Sequence, residues 1–201
     1  MRQFFALALF LPVLASAQTL TTLPPNNGTG GVFMTLTPAT QSLFLTGLST
    51  YLGGTVGQTA TVEVWTRSGA YAGFTTSSAG WTLHDTITMT AAGTATETAI
   101  TALNSPLLLA FGSTTSVYVH STTFGNGIRY QGTGTTSTST FTNADLTLFS
   151  DIARTGNTSF GGSQFTPRAF AGTVQYQPVP EPATMALLGL GMAALARRRR
   201  A

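Results

Sequence analysis

The residues able to do chemistry are few. Residues 18–177 hold two histidines, His84 and His120, five carboxylates, Glu63, Asp85, Glu97, Asp145 and Asp151, and four arginines, Arg67, Arg129, Arg154 and Arg168. Catalysis needs groups whose protonation and position are tuned, and these few offer a small number of pairings. His84 and His120 on facing strands, joined by Asp85 or Asp151, would make a metal site. Nothing in their spacing requires it, and a half-exposed histidine is the ordinary reading. Two carboxylates facing one cleft, roughly 5 to 10 Å apart, would make a glycosidase, but turn-forming or outward-facing roles explain each carboxylate equally well. Asp151, Arg154 and Asn157 share a glycine-containing stretch, but the dense D-x-D-x-D spacing of a calcium loop is missing. His84 and Asp85 are adjacent on an expected strand, so their side chains should point to opposite faces and form no orienting pair. No G-x-S-x-G elbow occurs, and with no cysteine the chain has no disulfide, thiolate metal site or cysteine nucleophile. The expectation is a protein that is not an enzyme, with no catalytic residue, no metal and no cofactor.

Binding is better supplied than catalysis. Trp65, Tyr71, Phe74 and Trp81 surround one turn. Exposed on a β-surface, such rings stack on sugars, which makes Trp65, Tyr71 and Trp81 the candidate carbohydrate contacts. Buried, they are core, the commoner fate of tryptophan.

The elements that must position these groups are strands. Threonine supplies 38 of the 160 residues from 18 to 177, and a residue stiff at χ1 with an uncharged hydroxyl favours pleated sheet with a polar skin. Alternation supports this: Val62 and Val64, Ile87 and Met89, Val117 and Val119, Leu146 and Leu148, and Val174 and Tyr176 each alternate with polar neighbours. Strands are expected at 32–36, 43–51, 61–66, 81–90, 98–103, 107–111, 116–121, 127–130, 145–149 and 168–176, separated by glycine-containing turns. The fold class is all-β, an antiparallel two-sheet sandwich of jelly-roll or immunoglobulin-like kind. Residues 18–31 read as a flexible tether, 32–177 as the sandwich, and the GTGTTSTST stretch at 132–140 as a loop.

The formal net charge of +3 comes from the ends. Within 18–177 four arginines face five carboxylates, so a nucleic-acid partner is not expected, since such domains spread cations along a phosphate-facing surface. Residues 1–17 have Arg2, an apolar run and Ala15 and Ala17 around Ser16, the pattern of a secretory signal peptide cut before Gln18. Its partners would be the secretion translocon and signal peptidase. At the other end, residues 183–196 carry no charge and would span roughly 21 Å as a helix, against a hydrocarbon core of about 30 Å. Snorkelling arginines and local thinning extend that reach. Arg197, Arg198, Arg199 and Arg200 would then stop the helix on the cytoplasmic side. Pro180 and Pro182 hold Val179, Pro180, Glu181 and Pro182 out of the helix as an extended strip.

That order, a Pro-Glu-Pro strip, a Leu/Gly/Ala helix and an arginine cluster, paired with a signal peptide, resembles a PEP-CTERM protein-sorting domain over residues 178–201. The resemblance implies recognition at Val179, Pro180, Glu181 and Pro182 by an exosortase. It also implies inner-membrane anchoring in transit, delivery to the surface or matrix of a Gram-negative bacterium, and an association with biofilm exopolysaccharide. The stretches VEVWTRSGAYAGF, GWTL and FTPRAFAGTVQY are similar to a sandwich module of other secreted bacterial proteins with this tail, a likeness that implies no activity. The expected function is a structural or adhesive envelope or matrix component. The alternatives are a carbohydrate-binding module held on exopolysaccharide and, third, a secreted hydrolase.

Overall fold

A computed structural model describes residues 16–28, 30–123, 125–132 and 138–180. Of these, Ala17–Pro178 form one compact unit. The signal segment up to Ala15, the expected anchor helix at 183–196 and the four terminal arginines lie outside the described residues. No helix occurs among the described residues, and none there is long and apolar enough to cross a membrane.

Thirteen strands lie among the described residues, and eight of them pair as one long antiparallel ribbon rolled upon itself. The thirteen are β1 (Gln18–Thr21), β2 (Gly31–Pro38), β3 (Leu43–Thr50), β4 (Thr59–Ser68), β5 (Thr82–Thr90), β6 (Thr101–Leu109), β7 (Thr115–Ser121), β8 (Tyr130–Gln131), β9 (Thr140–Thr142), β10 (Leu146–Arg154), β11 (Gln164–Phe165), β12 (Ala169–Phe170) and β13 (Gly172–Pro178). The pairings nest: β4 with β5, β3 with β6, β2 with β7 and β1 with β13, all antiparallel. Rolling places β1-β13-β3-β6 in a small sheet and β11-β10-β2-β7-β4-β5 in a larger one, with β9 beside β10 and β12 paired with β8 apart.

The core between the sheets follows from the period-two alternation of side chains. From the large sheet come Val32, Met34 and Leu36 of β2, Val62 and Val64 of β4, Val117 and Val119 of β7, and Leu146 and Leu148 of β10. From the small sheet come Leu43, Leu45 and Leu48 of β3, and Val174 and Tyr176 of β13. Burying one such side chain contributes about 1.5–3 kcal/mol, so this mainly aliphatic layer needs no staple. Strand β2 is buried on both faces, and its outward Phe33 belongs to a second core.

Several expectations need correction. The stretch 18–31 is not a tether throughout: Gln18–Thr21 pairs with β13 and buries Leu20, so the domain begins fourteen residues earlier than position 32. The two strands expected at 98–103 and 107–111 are one, β6, although the register against β3 jumps from Leu107 opposite Leu45 to Ala102 opposite Gly47, leaving 103–106 out of the ladder. The strand expected at 168–176 is broken between β12 and β13. There Gly172 adopts φ +149, and a Cβ would meet the Ser49 carbonyl oxygen at 2.2 Å, so only glycine fits the break. Strand β9 occupies the end of the stretch expected as loop; residues 133–137 lie outside the described residues.

Candidate functional site

The outer face of the large sheet gathers a cluster of aromatic side chains with His120, Glu63, Asp151 and Arg154 beside it. Phe33 of β2 and Tyr118 of β7 stack at 3.9 Å with planes 7° apart. Tyr71 and Trp81 close over them from the 69–81 loop, and Phe160 from the 155–163 loop. Phe160 has φ +62, a left-handed conformation that costs a non-glycine residue about 1–2 kcal/mol. Burial of its ring against Trp65, Trp81 and Tyr118 offsets that cost. The candidate sugar contacts are therefore not a platform: Tyr71 and Trp81 are 3% and 8% exposed, and Trp65 is half-buried. The reason is that loops cover this face, and each polar edge is satisfied locally. The Trp81 indole donates to the Phe74 carbonyl at 2.7 Å, and the Trp65 indole donates to Glu63 Oε2 at 2.8 Å. Phe74 alone of the four stays largely exposed, under the Arg67 guanidinium 3.6 Å from its centroid.

Polar groups are threaded through this cluster. Ser159 Oγ donates to Glu63 Oε2 at 2.6 Å, and Glu63 lies across the ladder from His120. His120 is fully buried, not half-exposed, with Nδ1 2.7 Å from the Tyr118 hydroxyl and Nε2 without a partner. Gly31 makes the room: a Cβ there would stand 2.5 Å from His120 Nδ1 and 2.8 Å from the Tyr118 ring. Burial drives the His120 pKa down to about 4; Glu63 opposes the shift and Arg154 adds to it. The imidazole is neutral at neutral pH. Burial also pushes the Tyr118 and Tyr71 phenols well up, Tyr71 helped by Asp151. Arg154 ties the two covering loops together. It donates to the carbonyls of Gly161 (2.7 Å), Gly162 (2.7 Å) and Thr75 (3.0 Å), all neutral acceptors.

The metal site weighed for His84, His120, Asp85 and Asp151 does not assemble. Asp151 accepts from the Tyr71 hydroxyl at 2.6 Å, Asp85 from the backbone and side-chain nitrogens of Asn104 at 2.6 Å each, and Glu97 from Ser49. Asp145 lies 3.5 Å from the Tyr176 hydroxyl. Glu63 and Asp151 are both bonded to the outer aromatic cluster, Asp85, Glu97 and Asp145 are bound elsewhere, and no group of three or more His, Asp or Glu that could hold a metal gathers among the described residues. His84 and Asp85 do not turn to opposite faces. His84 is the extra residue of a bulge, since Asp85 pairs with Val64 but Leu83 with Trp65, and both side chains reach the part of β6 that leaves its ladder: His84 Nε2 is 2.8 Å from the Ser105 carbonyl, and Asp85 meets Asn104. Neither Ser159 and Phe160 nor the roles of Arg129 and Arg168 were legible beforehand. The signal for the arginines is a charge set between apolar neighbours in strand-like stretches, Ile128-Arg129-Tyr130 and Arg168-Ala169-Phe170.

The compact unit ends at Pro178, the last residue of β13. Residues 178–200 match the family model of the PEP-CTERM protein-sorting motif. The chain carries a PEP-CTERM sorting signal. Of the expected recognition residues, Val179 is half-buried and Pro180 exposed; Glu181 and Pro182 lie outside the described residues, as do Arg197–Arg200 and Ala15. Ala17 and Gln18, which flank the expected signal cut, stand at the start of β1. The PEP-CTERM signal implies processing by an exosortase and export to the cell surface or beyond. No curated protein matches the chain.

Proposed function

We propose that the protein is a non-enzymatic structural or adhesive component of the bacterial envelope or extracellular matrix, its sandwich the cargo and its C-terminal segment the address. The observation that carries this reading is the junction at Pro178, where the last strand ends and the PEP-CTERM match begins. The sorting signal thus follows a domain that is already complete in its sheet pairing. The carboxylates and histidines described above are each engaged in packing or local hydrogen bonds, which supports a cargo without catalysis. The nested pairing and the two sheets β1-β13-β3-β6 and β2-β7-β4-β5 support the jelly-roll form over the immunoglobulin-like one. On this reading the chain enters the translocon with a signal peptide removed before Gln18. It is held in the inner membrane during transit by the helix at 183–196 with its arginine stop, and is delivered into exopolysaccharide.

The test is the intact mass and location of the protein in its native host. The expected form lacks residues 1–17 and is cut close to 180–182. Replacing Glu181 with alanine leaves the cut unmade and the protein in the membrane fraction. An uncut chain in the cytoplasm, or an unchanged destination for the Glu181→Ala variant, overturns the proposal.

A further inference from the structure

The domain contains four arginines, and their surroundings divide them. Arg154 is hydrogen-bonded to three backbone carbonyls, and Arg67 donates to the Ala70 carbonyl and lies over Phe74. Arg129 and Arg168 instead line a single open depression of about 500 Å³ beside β8 and β12. Arg168 is 7% exposed; its Nη1 donates to the Pro167 carbonyl at 2.8 Å, and its guanidinium also bonds the Tyr130 side chain. The Nε atoms of both arginines are buried and unpartnered, as is Oε1 of the neighbouring Gln131. Two of the five such buried atoms among the described residues therefore belong to side chains that line this one depression. The nearest acidic residue in the hydrogen-bond framework, Asp151, receives the Arg168 amide on its backbone oxygen and turns its carboxylate to Tyr71. Buried guanidinium nitrogens without acceptors cost free energy, and a bound ion or ligand beside the group is one way in which that cost is offset.

The remaining walls specify what that ligand is. The Arg168 guanidinium is held 5.7 Å from the Phe165 ring and 6.0 Å from the Tyr130 ring, which fixes its plane. Gly28 lets Tyr130 sit that close, since a Cβ there would fall 2.3 Å from the ring. Phe165 keeps 38% of its surface exposed at the lip. Asn26 and Thr155 add an amide and a hydroxyl to the rim. Planar guanidinium forks match a carboxylate, an exposed aromatic face matches the C–H face of a pyranose, and rim amides and hydroxyls match its hydroxyl groups. An inorganic anion would leave Phe165 unused, and a neutral sugar would leave two cations without a counter-charge.

We infer that the depression lined by Arg129, Arg168, Tyr130 and Phe165 is a binding site for an acidic sugar, whose carboxylate is received by the two guanidinium groups. This goes beyond the sorting reading and stands or falls apart from it, because the site lies wholly within the sandwich.

Calorimetric titration of the full chain in non-ionic detergent tests the site with three probes at fixed ionic strength: trigalacturonate, its methyl ester and inorganic phosphate. Trigalacturonate binds, and esterification or phosphate substitution weakens binding by about tenfold or more, the loss expected when a charge-assisted pair is removed. Arg129→Gln weakens trigalacturonate by a similar factor with an unchanged thermal midpoint. If that variant does not fold, Asn26→Asp, which keeps an acceptor for the Gly132 amide, places a repelling carboxylate at the exposed rim and must weaken binding as well. No binding of trigalacturonate, equal affinity for its ester, or full affinity in the folded variant overturns the site. Phosphate binding as tightly as the sugar acid overturns the assignment to sugar.

Discussion

The two faces of the large sheet are built on different physics. The inner face is mainly aliphatic, drawn from alternate positions of many strands in both sheets. Its stability comes from area removed from water, which is non-directional and tolerant of substitution at similar volume. The outer face is five buried aromatic rings, capped by two loops and fastened by directional bonds from Trp65, Trp81, Tyr71, Ser159 and Arg154. Alternation along a strand suffices to specify the first. The second needs loops distant in sequence to arrive with particular atoms in place.

Neighbouring residues of β7 make the contrast measurable, because Tyr118 faces outward and Val119 inward. Tyr118→Ala removes the ring on which the outer cluster stacks and costs about 3–5 kcal/mol in urea unfolding. Amide exchange should quicken first in residues 69–81 and 155–163. Val119→Ala costs about 2 kcal/mol and lowers protection throughout the domain. Equal and global effects of the two variants would erase the distinction between the faces.

Next in size is a pH effect confined to the outer face. Between about pH 6.5 and 4 the unfolded chain protonates His120 while the folded protein holds it neutral. This contribution is therefore complete above pH 6.5 and is lost as pH falls toward 4, by about 3 kcal/mol. His120→Asn removes that dependence, so the difference between the stability–pH curves of the two proteins is the reading. Parallel curves would mean that His120 is not buried as described. Smallest is Thr21→Val, which breaks the 2.9 Å hydroxyl pair with Thr173 on the small sheet. A loss of about 1 kcal/mol is expected from thermal unfolding, because Thr173 is 6% exposed and gives up its hydroxyl partner.

The inner core was legible because period two is written into single strands: β4, β5, β7 and the first half of β10 lie where alternation places them. Strand β1 was not, since QTLT has one apolar residue and takes its structure from β13. The bulge at His84 was hidden because an extra residue leaves no mark on composition, only on pairing. The outer cluster was half legible. Trp65, Tyr71 and Trp81 are close in sequence and close in space, but whether they face water depended on Phe160, almost eighty residues beyond Trp81, and on a glycine at 31 that leaves the histidine its place. Arg129 and Arg168, 39 residues apart in the chain, become neighbours only through the Tyr130–Phe170 and Gln131–Ala169 pairing, which local patterning cannot show.

Strand β13 lies inside the small sheet, flanked by β1 and β3. A molecule tethered through the residues beyond Pro178 and dragged by flowing surroundings would carry the load along that strand. Both flanking ladders run parallel to the pull, so their bonds resist in shear as a group. Rupture would have to tear the middle of the sheet rather than peel back an edge.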